Sequence, residues 1–202
     1  MNESLLQAAV ISQDPPNIRT ITERNWFVFL PVDQQELIEL SFSLFEREKS
    51  LHSSLIDCSF IIFPMAKAYE GFLKLYLFEM GLISQKTFEG RRFRIGRALN
   101  PDIRESQRDE FWLYDNVAGY CGHDIARMMW DTWLQCRNQV FHYFPNRNQY
   151  ISLQQVEEYL FMMDNTISQA YQCKLLTEPS EDEGKSSVIN NGRQSISAVN
   201  NI

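Results

Sequence analysis

Apolar residues fall at helical spacing in four stretches of the chain, separated by polar and turn-forming segments. Leu37, Leu40 and Leu44 follow Asp33 and Glu36, which have the spacing of a capping box, so a helix is expected from there to about Ser50. A longer helix is expected from about His52 to Met80, with Pro64 kinking it or opening its second half. Gly81 is placed to close it as a left-handed cap. Ile125, Met129, Trp133 and Val140 form the seam of a third helix, beginning near Asp124, which must stop before Pro145. Ser152-Leu-Gln-Gln155 is a second capping pattern and opens a last helix to about Leu175.

The stretches between are of three kinds. Residues 84–122 lack a sustained period and are expected to be an irregular insertion. Residues 1–31 contain Pro15-Pro16 and a β-prone "NWFVFLP", the pattern of a loose arm ending in an extended stretch. Residues 177–202 are Ser-, Asn- and Glu-rich with few large apolar groups, too few to offset the entropy of ordering them, and a disordered polar tail is expected. The pattern predicts an all-α fold. A helical bundle of four or five helices occupies 32–176, with the insertion between its second and penultimate helices.

Composition adds three constraints. A chain of 202 residues that is 44% apolar can bury a real core. A net charge of −7 opposes polyanions, so any nucleic-acid contact needs a local basic patch. Cys58, Cys121, Cys136 and Cys173 show neither a C-x-x-C pair nor metal-ligand spacing with the histidines, so reduced thiols, no structural zinc and a cytoplasmic location are expected. The N-terminus lacks a basic segment ahead of an apolar run, the mark of a signal peptide. The longest apolar stretch, near Phe60–Leu82, is interrupted by Lys67, Glu70, Lys74 and Glu79, the pattern of a core helix and not of a membrane span.

The candidate chemistry lies in "CRNQVFHYFP", residues 136–145, where Arg137, Asn138 and His142 gather before a proline stop. An arginine followed four to six places later by a histidine arises by chance roughly 40% of the time in this composition, and requiring asparagine after the arginine lowers that to about 4%. On a helix Asn138 and His142 share a face, whereas Arg137 and His142 lie about 140° apart. Arg137 is a permanent cation suited to a phosphate, and His142 is suited to proton transfer. A surface charge and a capping histidine are the plain structural alternative.

"FPMAKAYEGFLKLYLFEMGLI" (63–83), "FRIGRALNP" (93–101) and "CRNQVFHYF" (136–144) resemble the HEPN superfamily, whose ribonuclease members carry an arginine and a histidine four to six residues apart. Within it, the chain is most similar to the HEPN domain of RNase LS-type toxins of bacterial toxin–antitoxin systems, over about residues 35–175. The resemblance implies cleavage of single-stranded RNA without metal or other cofactor. A 2′-hydroxyl attacks the adjacent phosphodiester, leaving 2′,3′-cyclic phosphate and 5′-hydroxyl ends. Carried onto this chain, His142 is the general acid or base, Arg137 stabilises the phosphate and Asn138 orients phosphate or histidine. Glu70 falls where these toxins place a functional glutamate; it would hold Arg137 or assist proton transfer, unless it simply pairs with Lys74 four residues on. The resemblance further implies a homodimer with a composite active site, serving as a toxin or antiphage effector restrained by a cognate antitoxin or sensor. Control by adenylylation of a tyrosine two places beyond the histidine is not expected, because that place is Phe144 and the tyrosine is Tyr143.

RNA would need a landing surface. Residues 89–108 concentrate Arg91, Arg92, Arg94 and Arg97 around Phe93, a pattern that binds phosphates and stacks on unpaired bases. The alternatives are internal pairs with Glu89, Asp102 and Glu105, a dimer interface, or a contact with an acidic antitoxin.

Overall fold

The computed structural model of the chain describes residues 18–52, 54–145 and 150–177, and all regular structure among them is helical. The succession is α1 (Ile18–Ile21), α2 (Asn25–Phe29), α3 (Val32–Ser50), α4 (Ser59–Glu79), α5 (Gln85–Glu89), α6 (Ile95–Ala98), a 3₁₀ turn (Glu105–Gln107), α7 (Tyr114–Cys121), α8 (His123–Trp133), a π-helical turn (Leu134–Asn138) and α9 (Leu153–Thr177). No described helix is long and apolar enough to cross a membrane.

The centre of the bundle is α4. Its apolar residues run nearly all round, and Ile62, Met65, Tyr69, Phe72, Leu73, Tyr76 and Leu77 are buried. Around it pack α3, α8 and α9. Pro64 is inside the helix, which continues through it. The Ser41 hydroxyl of α3 donates to the Ile61 carbonyl beside that disturbed turn, tying the two helices together. The helix begins at Ser59 and not near His52, because Asp57 organises its start. The Asp57 carboxylate accepts from the Ser59 amide and hydroxyl and from the Ile151 amide at 2.8–3.1 Å, so it also anchors the approach to α9.

Local signals are met where the backbone itself makes them. Gly81 is left-handed, at φ 69°, and the Leu82 amide donates to the Leu77 carbonyl while that of Gly81 donates to Phe78, which closes α4. Ser152 and Gln155 exchange reciprocal backbone–side-chain bonds at the start of α9. Asp33 caps nothing: α3 starts one residue earlier, behind Pro31, and Asp33 lies in its first turn, where a negative charge suits the helix dipole. The buried positions of α3 are Ile38, Ser41, Phe42, Phe45 and Glu48, leaving the expected leucine stripe at their margin with Leu40 48% exposed.

Three other expectations are corrected. The segment "NWFVFLP" is not extended, since α2 buries Trp26 and Phe27. Arg24 and the Trp26 indole both bond Asp164 of α9, at 3.0 and 3.1 Å, and these tertiary contacts override β propensity. Residues 84–122, expected to be irregular, hold α5, α6, the 3₁₀ turn and α7 joined by loops. The thiols are not all reduced: Cys121 at the end of α7 is disulfide-bonded to Cys173 of α9, with Cα atoms 5.7 Å apart. A bridge between residues 52 positions apart leaves no local trace in a sequence. The expected tail lies, apart from Thr177, outside the described residues.

Candidate functional site

The end of α8 departs from the α-helix. The amide of Gln139 donates to the carbonyl of Leu134 at 2.9 Å, a five-residue step that widens one turn, and such turns recur at functional sites. The turn divides its side chains. Cys136 points inward, where burial pushes its thiol far above the ordinary range and leaves it neutral and unreactive. Arg137 points to a surface cleft of about 300 Å³ bounded by Phe63, Ala66, Lys67, Glu70 and Phe141.

Glu70 of α4 meets Arg137 across this cleft. The Nε of Arg137 donates to Oε2 of Glu70 at 2.9 Å, and both side chains remain more than a third exposed. A pair this open contributes little to stability, so its effect is to aim the guanidinium. The guanidinium carbon lies 5.6 Å from the ring centre of Trp133, one turn earlier on the same helix. Among the described residues nothing else bonds the guanidinium, leaving its terminal nitrogens for an anion. The alternative Glu70–Lys74 pair does not form. Lys74 instead donates to the Gly90 carbonyl at 3.0 Å and sits over the Phe88 ring.

Asn138 and His142 are placed differently from each other. Asn138 is half-buried in the π turn, but the chain leaves the helix after it, so the helical spacing expected to bring Asn138 and His142 onto one face does not apply. Phe141 packs edge-on against Phe63, at 5.4 Å between centroids, and forms part of the cleft wall. His142 follows on a bend, exposed, with its ring 6.4 Å from that of Phe144, and it does not line the cleft. The structure thus joins Glu70 to Arg137 and leaves His142 at the rim.

The arginine-rich segment forms a second concavity of about 670 Å³, bounded by Lys86, the arginines 91, 92, 94 and 97, and the rings of Phe93 and Phe111. Arg97 donates two bonds to Asp109 and one to the Gln107 carbonyl, at 2.7–3.2 Å, and the Arg97 bond holds the Asp109 carboxyl below its usual range. Its carboxylate partner is therefore Asp109, not Glu89, Asp102 or Glu105. The segment is fixed to the core at Gly96, where any Cβ would run into the Trp133 ring. Trp133 thus touches α6 and lies one turn from Arg137, while Lys74, one turn from Glu70, holds the Gly90 wall of the groove. The two concavities are neighbours through these contacts.

Sequence reasoning did not single out Lys67 or Phe111. Lys67 could have been found by counting one turn back from Glu70; Phe111 reaches its groove only through the fold of the 101–113 loop. Among the described residues no group of three His, Cys, Asp or Glu side chains gathers to hold a metal ion. Comparison with protein-family models, curated proteins and solved structures finds no match to this chain.

Proposed function

We propose that the chain is a metal-independent endoribonuclease of the HEPN type, acting on single-stranded RNA as a toxin or antiphage effector. The observation that carries this reading is the Glu70–Arg137 pair at an open cleft, which links the arginine of the motif to the expected glutamate 67 positions away. Glu70 holds Nε, and the terminal nitrogens of Arg137 face the scissile phosphate as its equatorial charge grows. The 2′-oxygen forms a bond to phosphorus as the bond to the 5′-oxygen breaks. His142 serves one of the two oxygens, taking the 2′-hydroxyl proton or giving one to the leaving 5′-oxygen, while water or the second copy's histidine serves the other, and Asn138 orients the phosphate.

His142 at the rim suits a composite site in a two-fold homodimer, where the motif of a second copy completes the cleft. Phe63 and Tyr143, 56% and 83% exposed, supply apolar surface for such contact beside it. A cognate antitoxin or sensor belongs to the same reading, and the arginine groove is the landing surface for the strand.

Purified protein, verified as a dimer, is expected to cut single-stranded RNA equally with and without EDTA. Arg137→Ala and His142→Ala should each lower the rate by about 100-fold or more while the unfolding midpoint holds. RNA left intact by the wild-type dimer would overturn the assignment. The position of His142 outside the cleft favours one alternative, a helical module that binds a nucleotide or a partner protein and cuts nothing. Under it, the chain binds a nucleotide or a partner protein, and the wild type leaves RNA as intact as the two variants do.

A further inference from the structure

The arginine groove is more specific than a basic patch. Its cations are not equivalent: Arg97 is occupied by Asp109 and Gln107, whereas among the described residues Arg91 and Arg92 form no ion pair. One nitrogen of Arg94 donates to the Arg91 carbonyl at 2.9 Å, which fixes the turn that presents all three. Lys86 adds a fourth charge to the lining. Within this positive rim lie two rings, Phe93 half-buried and Phe111 42% exposed, with centroids 6.3 Å apart and planes at 67°. Both rings line the same concavity as the guanidinium groups.

A ligand that needed only charge would have no use for the rings, and an apolar ligand would leave four cations unmet. An aromatic base carrying phosphate satisfies both. We infer that this groove is a nucleotide slot: the base packs on Phe111 and Phe93, and its phosphate meets Arg91, Arg92 and Arg94, with Lys86 at the edge. Arg97 is a positioning residue that holds the loop through Asp109. The slot deepens the ribonuclease reading and rests on it for the natural occupant, one nucleotide of the strand held next to the Glu70–Arg137 cleft. A free nucleotide offers the same chemistry.

Calorimetric titration separates these cases, using 5′-AMP, ribose 5-phosphate and a short oligodeoxyadenylate that lacks the 2′-hydroxyl and so survives the proposed chemistry. AMP should bind roughly tenfold tighter than ribose 5-phosphate. That gap should close in Phe111→Ala and in Phe111→Leu, which keeps apolar bulk without a π face. Arg92→Glu should weaken all three ligands. An oligomer tighter than AMP identifies the strand as occupant; equal affinities identify the free nucleotide, and either result upholds the slot. Ribose 5-phosphate binding as tightly as AMP, or a gap that survives both Phe111 variants, overturns it. Base-dependent binding by a protein that never cleaves RNA sinks the ribonuclease reading alone, and cleavage without base-dependent binding sinks the slot alone.

Discussion

Glu70 and Arg137 are brought together by a widened turn on one helix and an apolar seam on another, and the bond between them is testable in isolation. Glu70→Gln keeps the acceptor but removes its charge, and should lower single-turnover cleavage about tenfold while changing stability by less than about 0.5 kcal/mol, as expected of an exposed pair. Asp57 has the opposite profile, structural and outside the cleft lining. Desolvation pushes its carboxyl upward, but the bonds from Ile151 and Ser59 outweigh it and hold the group below its ordinary 3.8. A depressed carboxyl stabilises the fold above the unfolded value and loses that contribution as pH falls through the folded one. Urea midpoints measured from about pH 5 to about pH 2 should therefore fall less steeply in Asp57→Ala, which starts from a lower plateau. The pairing of Glu70 with Arg137 was legible through the resemblance carried by residues 63–83 and 136–144, which points to both side chains. The setting of His142 was not, since a helix carried on to Pro145 conceals a backbone that leaves it after Asn138.

At the scale of elements, the signals that could be read were those completed within one turn. Gly81 and the Ser152–Gln155 pair satisfy backbone groups beside them, so their residue types announce their role. The same local logic failed at Asp33, where Pro31 starts the helix first, and at α2, where the partner Asp164 is 138 residues from Trp26. Gly96 shows how a long-range contact dictates a residue without leaving a motif. Gly96→Ala forces α6 and Trp133 apart, and should destabilise the fold by about 1–3 kcal/mol while loosening the arginine groove, as read by thermal unfolding and by AMP affinity together.

The whole molecule is closed by a covalent link that helix periodicity could not reveal. The Cys121–Cys173 bridge encloses α8 and the π turn in a 52-residue span, and the Tyr76 hydroxyl contacts Cys121 sulfur at 2.9 Å from the core. Reduction should lower unfolding stability by about 2–4 kcal/mol, and Cys173→Ser should remove the response to reductant. Charge acts at the same scale. With a net −7 around one basic groove, oligonucleotide affinity should drop steeply as salt rises, since the groove releases counterions while the remaining surface repels the strand.

Trp133 stands where these features meet. It stacks on Trp130 with centroids 5.5 Å apart, lies under the Arg137 guanidinium and presses on Gly96 of the groove wall. An indole's emission follows the charges and dipoles around it, so the molecule carries an optical gauge on the partition between its two concavities. A phosphate drawing Arg137 away and a nucleotide shifting α6 would perturb that ring from opposite sides. Trp130→Phe would remove its stacked neighbour, and the change in emission measured against a Trp133→Phe control, which keeps the Trp26 and Trp112 background, would report which side had been filled.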